Sequence, residues 1–387
     1  MTVTDAPDLG FSTRAIHAGQ AFEPRTGAVI PPIFMTSTFV QDGVGGFRDG
    51  YEYSRGGNPS RDALQQQLAS LEAGTHAYTF GSGLAAEDAI LRAVLQPGDH
   101  VLMGNDVYGG THRLVSQIHA RWGIEITTAD ASDLDAVRAA MQPNTRILWV
   151  ETPSNPLMKV ADIPGLVELG HAAGAMVVAD NTFATPYLQQ PLVLGADVVI
   201  HSTTKYIGGH SDLVGGAVVT SDADLAERIA FQQFAVGAVN SPFDAWLTSR
   251  SLKTLSVRVE RHCRNAQAVA ESLVGHPALT AVHYPGLPDH PQHELASRQM
   301  RGFGGMVSMQ LAGGREAALT LVQRTRLFQL AESLGGIESL VCYPTEMTHA
   351  SVQGTELAVP DDLLRLSVGL EDADDLVEDL RQALDSL

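Results

Sequence analysis

Short apolar segments alternate with helical segments between residues 60 and 220, and this alternation restricts the possible folds more than any other feature. The segment Arg61–Glu72 has helical spacing, with Leu64, Leu68 and Leu71 on one face. Apolar runs of strand length occur at 76–80, 101–103, 124–128, 146–150, 176–179, 197–200 and 216–220. Strands separated by helices of about ten residues form βαβ units. We therefore predict an α/β fold with a mostly parallel sheet.

The pattern changes on both sides of this region. Residues 1–54 have little periodicity and contain several prolines and glycines, which predicts an extended N-terminal arm. After residue 245 the spacing predicts one long amphipathic helix, Ala245–Leu273, and then strand-like segments at Met306–Leu311 and Leu364–Val368. The predicted units are an N-terminal arm (1–54), a large domain (55–245) and a smaller α+β C-terminal domain (246–387).

Composition excludes several classes of function. The 387 residues include 44 Asp and Glu against 25 Lys and Arg, a formal net charge of −19, which disfavours binding to nucleic acid or anionic membranes. The two cysteines, Cys263 and Cys342, have neither zinc-ligand nor disulfide-framework spacing. The sequence has no signal-peptide pattern and no apolar run long enough to span a membrane. We expect a cytoplasmic protein that binds no nucleic acid, no membrane and no metal.

Lysine is scarce, because only Lys159, Lys205 and Lys253 occur in the chain. Lys205 follows the predicted strand at 197–200 and has hydroxyl neighbours, Ser202 and Thr204, that can donate hydrogen bonds to a phosphate. Burial at a strand end lowers the pKa of a lysine, and a neutral amine can form a Schiff base. The alternative is a surface lysine in a loop.

The turn Gly81-Ser82-Gly83-Leu84-Ala85-Ala86 lies between a predicted strand and a predicted helix. Backbone N–H groups at such a helix N-terminus can bind a phosphate. The same pattern also matches a dinucleotide fingerprint, with Asp106 in the place of the ribose-binding acid, so a nicotinamide dehydrogenase is an alternative. A tight turn that only packs small residues is a third interpretation.

The apolar strand at 176–179 ends in Asp180. A carboxylate at the carboxyl end of a parallel strand can keep a pyridine nitrogen protonated, which pyridoxal phosphate (PLP) requires as an electron sink. A helix cap or a turn residue is the alternative role. A phosphate-binding turn, a strand-end Asp and a strand-end Lys together predict a PLP enzyme, whereas a dehydrogenase needs neither Asp180 nor Lys205.

Further motifs extend over nearly the whole chain. They include S-T-T-K-Y-I-G-G-H-S-D at 202–212, Y-E-Y-S-R-G-G-N-P-S-R at 51–61, E-T-P-S-N-P at 151–156, A-D-N-T-F at 179–183 and L-R-L-S-V-G-L-E at 364–371. In these motifs the chain resembles the Cys/Met-metabolism PLP-dependent enzymes, the family of cystathionine γ-lyase, cystathionine γ-synthase and methionine γ-lyase. The resemblance implies PLP as cofactor and the aspartate-aminotransferase-like fold of the fold type I PLP enzymes.

The resemblance also implies residue roles. Lys205 would hold the cofactor as a Schiff base and move protons, and Tyr108 would stack on its ring and assist proton transfer to the leaving sulfur. The other implied cofactor contacts are Asp180 to the pyridine nitrogen, Gly83, Leu84, Ser202 and Thr204 to the phosphate, and Tyr53 and Arg55 to the phosphate of a neighbouring subunit. The implied substrate residues are Arg365, as a bidentate partner of the α-carboxylate, with Asn155, Ser333, Glu332, Arg113 and Glu52.

For the activity, we predict γ-elimination of cystathionine to cysteine, 2-oxobutanoate and ammonia. The alternative is the γ-synthase reaction, which joins cysteine to an O-acyl-homoserine and uses the same residues. Methionine γ-lyase activity is less favoured, because Gly110 stands where those enzymes typically carry a cysteine. The family further implies a homotetramer built from two catalytic dimers.

Overall fold

The computed structural model describes residues 9–349, 354 and 357–387. Its strands are β1 (His76–Phe80), β2 (His100–Gly104), β3 (Glu125–Ala129), β4 (Thr145–Glu151), β5 (Met176–Asp180), β6 (Val198–Ser202), β7 (Gly216–Thr220), β8 (Leu279–His283), β9 (Met306–Leu311), β10 (Gln329–Leu330), β11 (Leu340–Cys342) and β12 (Leu363–Ser367). Its α-helices are α1 (Phe11–His17), α2 (Pro59–Leu71), α3 (Gly83–Val94), α4 (Gly109–Arg113), α5 (Leu134–Ala140), α6 (Ile163–Ala172), α7 (Thr185–Leu188), α8 (Ala223–Val236), α9 (Pro242–Leu252), α10 (Leu255–Leu273), α11 (His293–Gln299), α12 (Gly314–Leu321) and α13 (Ala373–Leu384).

The large sheet has the strand order β1-β7-β6-β5-β4-β2-β3. Strand β7 runs antiparallel to both β1 and β6, and the remaining pairs are parallel. The prediction of an α/β fold with a mostly parallel sheet is therefore confirmed. Because β4, β5 and β6 are parallel neighbours, their carboxyl ends meet at one edge of the sheet, where α/β proteins bind their ligands.

The small sheet has the order β10-β11-β12-β9-β8 and is antiparallel apart from the β10–β11 pair. It has its own hydrophobic core, in which Val269 of α10 and Leu380 of α13 pack with Val307 of β9 and Leu366 of β12. The limits that we assign to the two domains, near residues 54 and 245, stay a prediction.

The prediction of one helix over Ala245–Leu273 is wrong, because α9 ends at Leu252 and α10 begins at Leu255. At the break between α9 and α10, two side chains donate hydrogen bonds to the backbone carbonyl of Ser251. The Thr254 hydroxyl donates to it over 3.1 Å and the buried Arg258 guanidinium over 2.9 Å. A carbonyl bound in this way is drawn away from helical bonding. Within the described residues, no helix has both the length and the hydropathy to cross a membrane.

The N-terminal arm is not extended throughout, since Phe11–His17 forms α1. Phe11 and Ala15 lie four residues apart on one face of this helix and are buried in the same core cluster as Leu64 and Leu68 of α2. Beyond α1 the β pairing of the arm is limited to isolated bridges, such as Thr38 with Tyr53. Large apolar side chains are exposed along it, namely Phe22, Val29, Ile30, Met35, Val40 and Val44.

Candidate active site

A cavity of about 310 Å³ lies at the carboxyl edge of the large sheet and is closed on one side by residues of the small-sheet region. It brings together residues that are far apart in the chain. Eleven of the predicted site residues line it: Gly83, Leu84, Tyr108, Asn155, Asp180, Ser202, Thr204, Lys205, Glu332, Ser333 and Arg365.

The N-terminus of α3 forms one wall of the cavity. Ser82 caps the helix by accepting a hydrogen bond from the N–H of Ala85 over 3.1 Å. The N–H groups of Gly83 and Leu84 have no partner within the described part of the chain. A Cβ atom on Gly83 would lie 2.9 Å from that of Ser202, so only glycine lets the turn approach β6 this closely. The free N–H groups, the helix dipole and the nearby Ser202 hydroxyl together form a site for an anion.

Lys205 is the lysine that lines the cavity. Its Nζ atom donates to the Ser333 hydroxyl over 3.1 Å. Burial, and secondly the Arg365 guanidinium, lower the pKa of Lys205 to about 8, so about a tenth of the amine is neutral at pH 7, far more than for an ordinary lysine. Ser333 has a φ of 101°, a conformation that non-glycine residues rarely adopt, and such strain is typical of functional sites.

Three acidic side chains lie together at the inner end of the cavity. Asp180 at the end of β5 is the register partner of Glu151 at the end of β4, and Glu87 reaches the cavity from α3. Burial raises the pKa of all three, and the charge of Asp180 raises the pKa of both glutamates further. Hydrogen bonds from Thr182, one of them a 2.9 Å bond from its N–H, oppose the shift at Asp180. Asp180 is therefore the acid best placed to carry the negative charge.

The sequence analysis did not identify Glu87 and Glu151. Glu151 ends an apolar strand just as Asp180 does, and that similarity is a pattern that could have identified it. Glu87 shares the buried face of α3 with Ile90 and Leu91, so an acid on an apolar helix face is the corresponding pattern. In addition, the backbone N–H of Tyr108 donates to Glu151 over 2.9 Å, which fixes the start of the Tyr108 turn.

Arg365 enters the cavity from β12 of the small sheet and is only 1% exposed. Its Nη1 donates to the Asn155 side-chain oxygen over 2.8 Å and its Nη2 to the Ser333 carbonyl over 3.0 Å. Its Nε is buried and has no partner among the residues that the structure describes. A buried guanidinium with donor capacity left over is suited to bind a carboxylate.

Four predicted site residues do not line the cavity of their own chain. Tyr53 is 46% exposed, and Glu52 and Arg113 are also exposed. Arg55 lies against α8, where its Nη1 donates to the Phe234 carbonyl over 2.6 Å and its guanidinium stacks 4.6 Å from the Phe234 ring. A cofactor or substrate held in this cavity is therefore not contacted by these four residues of the same chain.

Asp106, the acid on which the dinucleotide interpretation depends, is buried and hydrogen-bonded to the Ser154 hydroxyl. It does not line the cavity. The turn at 81–83 therefore has no ribose-binding acid beside it, whereas Lys205 and Asp180 share its cavity. An anion site, a buried acid and a lysine with a lowered pKa fit the phosphate, the pyridine nitrogen and the aldehyde of PLP.

Comparisons with known proteins agree with this fit. The model of the family described as Cys/Met metabolism PLP-dependent enzyme matches residues 12–385. The chain is 60% identical over 375 residues to the cystathionine gamma-synthase of Mycobacterium tuberculosis, covering 97% of each chain. It is 47% identical over 386 residues to the cystathionine gamma-lyase of Dictyostelium discoideum, covering 99% of this chain and 100% of that one. The crystal structure of metB from Corynebacterium glutamicum, 50% identical, superposes with a TM-score of 0.97 and covers 98% of this chain and 99% of that chain.

Proposed function

Because the chain belongs to the Cys/Met-metabolism PLP-dependent enzymes, we propose that it catalyses γ-replacement, joining cysteine to an O-acyl-homoserine to give cystathionine. The chain is a PLP-dependent enzyme of carbon–sulfur chemistry. The choice of γ-replacement rests on identity, since the synthase relative shares 60% of its residues and the γ-lyase relative 47%. The γ-elimination of cystathionine predicted from the sequence is the second candidate, favoured by the full-length match to that γ-lyase.

The observation that carries the assignment to an amino-acid substrate, which both candidate reactions share, is that Arg365 and Lys205 line one cavity. Arg365 is suited to bind the α-carboxylate of an amino acid, with Asn155 and the Ser333 carbonyl holding its guanidinium. A substrate bound in this way has its Cα near the Lys205 amine, which is the group that accepts the Cα proton. PLP, when bound, supplies the electron sink that stabilises the negative charge left at Cα.

We assign proton transfer at the Cγ end of the substrate to Tyr108. Burial raises the pKa of Tyr108 above the usual value for a phenol, so its hydroxyl stays protonated at neutral pH and can donate a proton. In γ-elimination of cystathionine the thiolate that leaves Cγ needs such a donor, whereas the carboxylate that leaves an O-acyl-homoserine departs as an anion. Glu332 lines the cavity and is also exposed to solvent. We propose that its carboxylate binds the amino group at the distal amino-acid end of cystathionine.

Gly110 argues against methionine γ-lyase activity. A Cβ atom at this position would lie 2.3 Å from the Cε1 atom of Tyr108. A cysteine at 110, which those enzymes typically carry, would therefore require the Tyr108 ring to move. The position of that ring supports a reaction in which Tyr108 acts without a neighbouring thiol.

A paired assay at equal enzyme concentration tests the reaction. We expect cystathionine formation from O-acyl-homoserine and cysteine to exceed 2-oxobutanoate formation from cystathionine by about tenfold or more in kcat/KM, a difference of roughly 1.4 kcal/mol between the two transition states. The control is a reaction with O-acyl-homoserine alone, which measures elimination without a second thiol. A ratio reversed by the same factor would replace γ-replacement with γ-elimination.

We further propose that the active site is shared between subunits. Tyr53 and Arg55 lie outside the cavity of their own chain, and the arm that carries them exposes large apolar side chains that a second chain would cover. The phosphate of a neighbouring subunit's cofactor is the anion that we assign to Arg55. The homotetramer implied by the resemblance is the assembly that would bring such sites together.

Subunit complementation tests the shared site. The Arg55→Ala and Lys205→Ala variants are each expected to be inactive alone, because each lacks one part of every site. After mixing under conditions of subunit exchange, partial activity is expected, because a fraction of the sites combines an intact Arg55 with an intact Lys205. The matched control is Arg48→Ala, which removes an exposed arm arginine paired with Asp42 and should leave activity intact. A fully active monomer in sedimentation at assay concentration would contradict the proposal.

A further inference from the structure

The turn that follows β4 carries Asn155, whose side-chain oxygen accepts a hydrogen bond from Arg365. Two backbone carbonyls of this turn are bound by side chains from the small-sheet region. The Ser308 hydroxyl donates to the Pro156 carbonyl over 2.7 Å, and Nε2 of His349 lies 3.1 Å from the Asn155 carbonyl. All four of these polar side chains are buried. Water therefore cannot easily replace a donor that is lost from either carbonyl.

Ser308 and Arg365 approach the turn from the same face of the small sheet. They are register partners on the antiparallel strands β9 and β12, and directly opposed residues of such a pair project from one face. Ser308 reaches the Pro156 carbonyl, while Arg365 reaches the Asn155 side chain. The arginine and the turn that orients it are therefore held by neighbouring positions of one sheet.

His349 binds the turn as a neutral imidazole. Burial, and secondly the Arg365 guanidinium, lower the pKa of His349 to about 4. A neutral imidazole has one N–H group, and a backbone carbonyl can only accept a hydrogen bond. Nε2 is therefore the protonated nitrogen and donates to the Asn155 carbonyl, while Nδ1 accepts from the Thr348 hydroxyl over 2.9 Å. This donor fixes the turn without placing a second positive charge beside Arg365.

The position of Asn155 decides the direction of the Arg365 guanidinium. Nη1 donates to Asn155 and Nη2 to the Ser333 carbonyl, which leaves Nε without a partner in the described part of the chain. A carboxylate forms two parallel hydrogen bonds with a guanidinium only when the two planar groups are aligned. A shift of the turn would move Asn155, tilt the guanidinium and weaken the second of these bonds.

We propose that Ser308 and His349 are positioning residues of the substrate carboxylate site, which fix the turn at 155–156 and, through Asn155, the direction of the Arg365 guanidinium. Neither residue lines the cavity, so neither contacts the substrate itself. The inference rests on the role assigned to Arg365 under the proposed function. It makes the affinity for the carboxylate, rather than the binding of PLP, depend on two side chains outside the cavity.

The test compares the binding of two probes, L-norleucine and n-pentylamine, to the PLP-loaded enzyme. The two molecules differ only in the carboxylate, and neither carries a leaving group at Cγ. Binding is followed by the change in visible absorbance, and the ratio of the two dissociation constants measures the contribution of the carboxylate. The wild type should prefer L-norleucine. We expect Ser308→Ala and His349→Leu each to reduce this preference about fivefold to tenfold, as for the loss of one hydrogen bond.

His349→Gln provides a conservative variant, because its amide N–H can still donate to the Asn155 carbonyl. It should restore the preference to within about twofold of the wild type. A preference as low as that of His349→Leu would contradict the role of His349 as a hydrogen-bond donor. PLP affinity should be unchanged in all of these variants.

The matched control for Ser308→Ala is Ser339→Ala. It removes another fully buried hydroxyl of the small-sheet region, one that donates to Glu371 over 2.9 Å. This control should lower the melting temperature without changing the preference for L-norleucine. If Ser308→Ala and His349→Leu behave like the control, the inference is wrong. Arg365→Ala should abolish the preference, and if it does not, the carboxylate role of Arg365 is what fails.

Discussion

Lys205→Ala is expected to abolish turnover together with the visible absorbance of the bound cofactor. Lys205 is the lysine that lines the cavity, and burial with the neighbouring Arg365 lowers its pKa to about 8. No other described side chain in the cavity offers an amine that can bond to the aldehyde of PLP or accept the Cα proton. The measurements are steady-state turnover, the absorption spectrum, and a peptide map after borohydride reduction of the wild type.

The controls for this prediction are Lys159→Ala and Lys253→Ala. Lys159 is paired with Asp130 over 2.7 Å, and Lys253 follows the end of α9, so neither amine reaches the cavity. Both variants should keep the visible absorbance and near-normal turnover. Reduced cofactor found on a peptide that contains residue 159 or 253 would show that the assignment is wrong.

Asp180→Asn is expected to lower kcat/KM by roughly a hundredfold to a thousandfold while the protein stays folded. Asparagine keeps the size of the side chain and can still accept from the N–H of Thr182, but it carries no charge to hold the pyridine nitrogen protonated. A preorganised electrostatic contact in a water-poor site is worth roughly 3–4 kcal/mol. Turnover is measured at saturating PLP, and the melting temperature reports on folding.

The matched control for Asp180→Asn is Asp197→Asn. Asp197 also accepts a backbone N–H, from Val177 over 2.7 Å, but it lies at the amino end of β6, far along the strand from the cavity. Its replacement should affect stability more than rate. Near-normal turnover of Asp180→Asn would remove the pyridine-nitrogen role from that residue.

The local sequence was sufficient to predict the site residues that lie at the carboxyl ends of strands. Asp180 and Lys205 each follow an apolar run, and parallel strands carry such residues to one edge whatever the details of packing. Arg365 is different, because its contact with Asn155 joins residues 210 positions apart. Periodicity contains no information about such a pair, and only the resemblance to a family suggested it.

The features that the sequence did not reveal depend on tertiary contacts. The break between α9 and α10 depends on Arg258, which reaches back to the Ser251 carbonyl, in a segment whose apolar spacing continues without interruption. Glu87 lies on the apolar face of α3, which marks it as unusual in the sequence, but its place in the site depends on the packing of α3 against the cavity. In both cases the backbone pattern was compatible with more than one outcome, and long-range packing decided between them.

Because Arg365 and Lys205 are close together, the binding of a carboxylate to Arg365 affects the basicity of the Lys205 amine. The positive charge of Arg365 is one of the two causes that lower the pKa of Lys205. A carboxylate bound to Arg365 cancels much of that charge, so occupancy of the arginine makes the nearby amine a stronger base. By thermodynamic reciprocity, protonation of the amine must then favour retention of the carboxylate. An amino acid that binds by its carboxylate would thereby strengthen the base that acts on its own Cα, whereas a ligand without a carboxylate would meet a weaker one.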